Sequence, residues 1–237
     1  MASKAPDVES IVDDFRYGTN VATAHVSIRM GFLRKVFGIL CTQLLVTTVV
    51  CAIFMYTDGV KAYVQNSQGM LLFAYISSFA LLFALFVKRR DSPINMILLA
   101  LFTLVEAYSV GTIVTFYNKA VVLQAFSLTL VVTFSLTVYT MQSKKDFSSW
   151  GAGLYSALLI LILSGLLHIF LPQSDAVEFI ISIFGAILFC CFIIFDIHMM
   201  MHKISPEEYI LASINLYLDI LNLFLHILRI LGQAQKK

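Results

Sequence analysis

Seven apolar stretches, each close to the length a helix needs to cross a bilayer, dominate this sequence and leave little choice of fold. They run over 36–56, 69–87, 96–117, 120–141, 151–170, 177–197 and 207–230, the last interrupted by charge. A helix rises about 1.5 Å per residue, so about twenty apolar residues cover a hydrocarbon core. Pro93, Pro172 and Pro206 fall between stretches and Pro6 precedes them all, so no proline interrupts a span. The alternating segments of roughly ten residues that build a membrane β-barrel are missing. With 59% hydrophobic and 13% charged residues in 237, a water-soluble fold would lack the interior to hide its apolar surface. The chain therefore reads as an all-α integral membrane protein. A polar tail over 1–30, with Asp7, Glu9, Asp13 and Asp14, precedes a single helical-bundle domain over 31–237.

Lys and Arg set the expected orientation. Lys4, Arg16, Arg29, Arg34 and Lys35 share one side with Lys88, Arg89, Arg90, Lys144, Lys145 and Lys203, whereas the opposite loops hold Lys61 and Lys119. The positive-inside rule predicts a cytosolic N-terminus. The last segment divides the reading. Arg229, Lys236 and Lys237 favour a re-entrant piece after six spans. The 26 residues from 206 to 231 reach about 39 Å, enough to cross. Ser205-Pro206-Glu207-Glu208 resembles a capping-box helix start, with Ser205 as cap and a glutamate at the third position. Seven spans are the expectation, six plus a re-entrant segment the alternative.

Several function classes find no support. No basic block suits a nucleic-acid backbone. Cys41, Cys51, Cys190 and Cys191 lie in apolar runs without a C-x-x-C pair and read as small hydrophobes. No nucleotide fingerprint, nucleophile triad or metalloprotease motif is present, so neither an enzyme nor a cofactor is expected.

Ionisable groups at bilayer depth are costly and need a reason. Four carboxylates qualify: Glu106, Glu178, Asp196 and Asp219. At about 100° per residue, Asn215, Asp219, Asn222, His226 and Arg229 share a narrow arc of the last helix, and Glu208 continues it. Such a stripe must face the bundle interior or a wet path. Interhelical hydrogen bonding alone is the plain explanation, although asparagines would suffice for that. Asp196 sits near the end of the sixth span, with Glu178 five turns earlier on the same face beside Ser182 and Gly185. A short connection makes these two helices antiparallel neighbours, so Asp196 and Asp219 can meet. Two such carboxyls share a proton and titrate as a pair, and when charged they suit a hard divalent cation. Glu106, between Thr103 and Ser109, is either a third pore acid or a buried hydrogen-bonded one. His198 and His202 have metal-ligand spacing but read as a juxtamembrane polar face.

The runs Gly185-Ala186-Ile187-Leu188-Phe189, Phe192-Ile193-Ile194-Phe195-Asp196, Ser205-Pro206-Glu207-Glu208-Tyr209 and Leu216 to Phe224 resemble the signature of the transmembrane Bax-inhibitor-motif family. Asp13-Asp14-Phe15, Tyr17-Gly18, Ile28-Arg29-Met30, Phe32-Leu33-Arg34-Lys35-Val36 and Gln142 to Phe147 are similar to its Golgi anti-apoptotic branch. The resemblance implies a seven-helix bundle enclosing its last helix, and a pH-sensitive calcium leak controlled by Asp196 and Asp219, which would hold Ca2+ in transit. Lys88 stands in register with a latch arginine of the family but lacks its bidentate fork. Arg229 matches an arginine of the last helix, and Glu207 belongs to the Ser-Pro-Glu motif; these three are the candidate latch or counter-charges. A family glutamate falls at Ser77, a departure for which Glu106 can compensate. The resemblance also implies Golgi or reticulum membranes, lowered store calcium and resistance to apoptosis.

The favoured reading is a cation leak channel whose path is lined by Glu106, Glu178, Asn215, Asn222 and His226, with calcium or another cation as cargo and the lipid bilayer as solvent. A non-conducting scaffold that binds itself, calcium-release channels or death regulators is the alternative. An intramembrane aspartyl protease is a minor one, because Leu216-Tyr217-Leu218-Asp219 lacks the Gly-x-Gly-Asp of that class.

Overall fold

The computed structural model describes residues 26–170 and 174–235. The tail acids, Lys4, Arg16, Pro6, Pro172, Lys236 and Lys237 lie outside them. Eight helices follow in order: α1 Val26–Tyr56, α2 Asp58–Asn66, α3 Gln68–Lys88, α4 Ile94–Val114, α5 Lys119–Gln142, α6 Gly151–Phe170, α7 Asp175–His202 and α8 Tyr209–Ala234. Turns of 3₁₀ helix at Ser148–Trp150 and Pro206–Glu208 lead into α6 and α8. No strand occurs among the described residues. All the helices except α2 are long and apolar enough to cross a membrane. The protein is an all-α membrane bundle.

Two boundaries differ from the sequence expectation. Helix α1 starts at Val26, well before 36, because Phe32, Leu33, Val36 and Leu40 recur three to four residues apart and are buried. That inner stripe carries the helix past Arg34 and Lys35, which are exposed. Helix α2 occupies a segment expected to be a loop. It is amphipathic, with Val64 buried, and the Gln65 amide donates to the Thr115 carbonyl at 2.9 Å. Nine residues are too few to cross a bilayer, so a search for apolar spans passes over it.

Helix α8 is the centre of the bundle. Ile210, Ile214, Leu216, Tyr217, Leu223 and Leu228 are all buried, against α1, α4, α5 and above all α7. Helix α3 packs chiefly on α4, and α6 chiefly on α7, as outer members. Their outward residues, Leu72, Phe73, Phe79 and Phe83 on α3 and Leu159, Ile160 and Leu163 on α6, are exposed and apolar, as a lipid-facing belt requires.

The course of α8 excludes a re-entrant hairpin. It runs parallel to α4 at a nearly constant offset. Asn95 donates to the Tyr209 hydroxyl at 3.3 Å, Phe102 meets Tyr217 edge-on with ring centroids 6.3 Å apart, and Tyr117 lies against Gly232. The contact at Gly232 is close: a Cβ there would stand 2.6 Å from the Tyr117 ring. Helix α8 therefore spans the full depth that α4 spans and ends on the opposite face. Tyr217 also shares a 2.7 Å hydrogen bond with Thr47 of α1, tying three helices at mid-depth.

An enclosed α8 has a measurable consequence. Tyr217→Ala should lower stability by about 3–5 kcal/mol, as for a buried aromatic. Leu72→Ala on the outer face of α3 should stay within about 0.5 kcal/mol. Thermal unfolding of the two variants in detergent compares them, and equal losses would mean that α8 is not the core.

Candidate functional site

The antiparallel pairing of α7 and α8 brings their polar residues into one seam. Asp196 and Asp219 are 8% and 6% exposed and lie within hydrogen-bonding reach of each other, as the short connection predicts. A hydrogen bond between two carboxyls needs one proton on the pair. Tyr155 of α6 meets Phe192 and Phe195 edge-on, with ring centroids 5.6 and 6.5 Å away, the second being the residue before Asp196. Sequence reading missed Tyr155, because an aromatic near a helix start carries no signal of its own.

Away from the pair, Asn222 donates its side-chain amide to Leu218 O of its own helix at 2.8 Å. It does not bond another helix. Asn215 is half-buried near the start of the stripe. His226 is buried against α7, and Arg229 is half-buried one turn further on. No carboxylate among the described residues comes within 4.0 Å of the Arg229 guanidinium. Glu178 is half-buried near the start of α7, and its backbone carbonyl accepts from Ser182 Oγ at 2.8 Å.

Glu106 lies outside this seam, between α3 and α4, where the Ser78 hydroxyl donates to Oε1. Of the two readings open to it, the geometry matches the hydrogen-bonded acid. Ser78 follows Ser77, so α4 supplies a carboxylate to this turn of α3. Thr103 accepts from Gln43 at 3.1 Å, whereas Ser109 bonds its own backbone at Val105 O.

The candidate counter-charge Lys88 is engaged at the α3–α4 turn. Lys88 does not turn towards the pair. It holds Asp91 at 2.9 Å, and both side chains are about half exposed. Its neighbours act instead. Arg89 Nε reaches Glu208 Oε2 at 2.8 Å, and Arg90 donates to Oε1 through Nε at 3.0 Å and Nη2 at 2.6 Å. Glu207 receives only a looser contact from Arg90, at 3.8 Å. Glu208 therefore does not close a capping box on Ser205. Ser205 Oγ accepts from the Glu207 amide at 3.4 Å, and the Glu208 carboxylate faces the α3–α4 turn. Lys35 of α1 sits 3.3 Å from the Tyr209 ring centroid, a third tie on the first turn of α8.

A second junction joins the α5–α6 loop to α7. Asp146 Oδ1 accepts from the Ser148 amide at 2.9 Å and lies 3.0 Å from His198 Nε2. The Ser148 contacts, and then His198, hold the Asp146 carboxyl down at about 2. His198 and His202 stack with centroids 4.4 Å apart, and His202 Nδ1 contacts His198 O at 3.0 Å. No group of three or more His, Cys, Asp or Glu residues that could hold a metal occurs among the described residues. Asp196 and Asp219 alone offer too few oxygens for a resident calcium ion, which takes six to eight.

Comparison with known proteins adds a lineage to this geometry. A family described as "Inhibitor of apoptosis-promoting Bax1" matches residues 29–236. The "Golgi anti-apoptotic protein" of Vaccinia virus (strain Lister) is 54% identical over 228 residues, covering 96% of each chain. "Protein lifeguard 4" of Mus musculus is 49% identical over 228 residues, 96% of this chain and 95% of its own. "Bax inhibitor 1" of Schizosaccharomyces pombe is 42% identical over 224 residues, 94% of this chain and 84% of its own.

Both junctions can be tested. Glu208→Gln should lower stability by about 1 kcal/mol at low salt, with the difference from wild type shrinking at high salt. An equal loss for Lys88→Gln would contradict the assignment to Arg89 and Arg90. The Asp146 carboxyl is depressed, so its tether is complete above the ordinary carboxylate range and is lost as pH falls through about 2. Amide exchange at Ser148, normalised to its intrinsic rate, should rise only near that pH in wild type and at every pH in Asp146→Ala.

Proposed function

The chain belongs to the Bax-inhibitor family of membrane proteins, and on that premise we propose that it is a cation leak channel of intracellular membranes, permeable to calcium and gated through Asp196 and Asp219. The observation that carries this reading is the meeting of two buried carboxyls where the two most closely packed helices cross, inside an otherwise apolar bundle. With one proton on the pair, a hydrogen bond joins α7 to α8. Without it, two like charges face each other in a poorly screening medium, and the crossing separates or admits a cation to neutralise them. Calcium is then cargo, met by carboxylate oxygens and its own water. The Asn222, His226 and Glu178 side of the seam continues the path, while the Glu208 clasp holds the first turn of α8 still.

Membership in a family of apoptosis inhibitors fits this chemistry, since a slow leak lowers stored calcium and blunts calcium-triggered death signals. The protein acts without catalysis in this reading. Relatives named for the Golgi support placement in Golgi membranes, with the endoplasmic reticulum as an adjoining store. The basic face that carries Arg34, Lys35, Lys88 to Arg90, Lys144, Lys145 and Lys203 is cytosolic by the positive-inside rule. With seven crossings, the C-terminus then lies in the lumen.

Calcium flux from proteoliposomes of purified protein, measured from about pH 6 to about pH 8, tests the channel. Wild type should conduct with a pH dependence that Asp219→Asn and Asp196→Asn shift or abolish. Absence of flux from folded wild type throughout would leave the scaffold reading, in which Asp219→Asn keeps its protective effect in cells.

A further inference from the structure

The half of the seam beyond the aspartate pair contains one contact that ordinary helix packing does not require. His226 lies two turns from Asp219, about 10 Å further along α8. Its imidazole occupies the space over Gly185 of α7, where a side-chain carbon would collide with the ring. The ring stacks on Phe189, centroids 5.7 Å apart and planes inclined by 25°, and is 7% exposed. Its Nδ1 is buried with no hydrogen-bond partner among the described residues.

Each element has its own physical meaning. A glycine opposite an aromatic ring is a notch shaped for that ring. An apolar side chain would fill the notch without penalty, whereas an imidazole there leaves a polar nitrogen unsatisfied. The seated pose is thus held by stacking and opposed by a lost hydrogen bond, which water would restore once the ring swung out. On one side stand Asn222 and the pair; on the other stand Arg229, Ser182 and Glu178. Asn222 directs its amide back to Leu218 and leaves the ring without a bond from that direction.

We propose that the His226 imidazole, seated in the Gly185 notch, is a movable plug that closes the path between the Asp196–Asp219 pair and the end of α8. The assignment rests on the channel reading and adds a second barrier to it. Leaving the notch opens a wet passage past Phe189 towards Glu178; re-entry excludes water again. Gly185 is then a positioning residue, acting only through the ring it admits.

Proteoliposome calcium flux at fixed pH tests the plug, with Asp219→Asn as the control for the channel itself. His226→Ala and Gly185→Ala should each raise the leak several-fold, the first by removing the ring and the second by displacing it. The double variant should leak no more than the larger single variant, because both changes act on one group. His226→Phe, which keeps a stacking ring and removes the unpaired nitrogen that favours leaving the notch, should leak no more than wild type. A second readout is thiol labelling of Asn222→Cys in a background lacking Cys41, Cys51, Cys190 and Cys191. A charged reagent added on the C-terminal side should label it faster once His226 is alanine. Thermal unfolding of each variant separates a displaced ring from a collapsed fold. If Asp219→Asn alters flux while His226→Ala changes neither flux nor labelling, the plug is wrong and the channel stands. If no protein conducts, both fall.

Discussion

A helix that carries Asp219, Asn222, His226 and Arg229 along one side cannot face hydrocarbon, and the rest of the molecule is arranged around that prohibition. The cost of a charge or an unpaired polar group in lipid exceeds what any single packing contact returns. Helix α8 is therefore drawn to the middle and covered by α1, α4, α5 and α7, while α3 and α6 complete the outer wall with bare apolar faces. The parallel register with α4 and the antiparallel register with α7 are two results of enclosing one polar helix from both sides.

Enclosure separates two kinds of polar contact. At mid-depth, side chains meet in small, closed groups: Thr47 with Tyr217, Gln43 with Thr103, Ser78 with Glu106. At the basic face the contacts are ionic and partly wet, with Arg89 and Arg90 on Glu208 and His198 on Asp146. The first kind fixes helix spacing in a medium that offers no water as substitute. The second fixes where helices begin, and salt and pH reach it. Along α7 and α8, between the two, Asn222 and His226 have not spent their polarity on a neighbouring helix.

Much of this was legible in the sequence, for identifiable reasons. The spans follow from length and hydropathy, properties that tertiary structure does not override in a membrane. The meeting of Asp196 and Asp219 followed from a short connection and a 3.6-residue period. What escaped was decided by loops and by small residues. Lys88 and Arg89 are equivalent in composition, yet the α3–α4 turn gives Glu208 to Arg89 and Arg90 and leaves Lys88 to Asp91. The Ser-Pro-Glu-Glu start has the spacing of a capping box, but the arginines outbid the Ser205 amide for the glutamate, since an ion pair is the stronger bond. Gly185 stands out only as a small residue beside Glu178, and nothing in the sequence marks it as the notch for the His226 ring.

The central position of α8 also reverses the order in which the bundle is made. Synthesis delivers α8 last, when the helices that surround it are already in the bilayer. Until then the inner faces of α1, α4, α5 and α7 border a groove with no permanent occupant, and Thr47 and Asp196 in it lack the side-chain partners that α8 supplies. The molecule is thus built from its rim towards its axis. The final insertion delivers its one heavily polar span into a slot lined by protein, where it need never be exposed to lipid on every side.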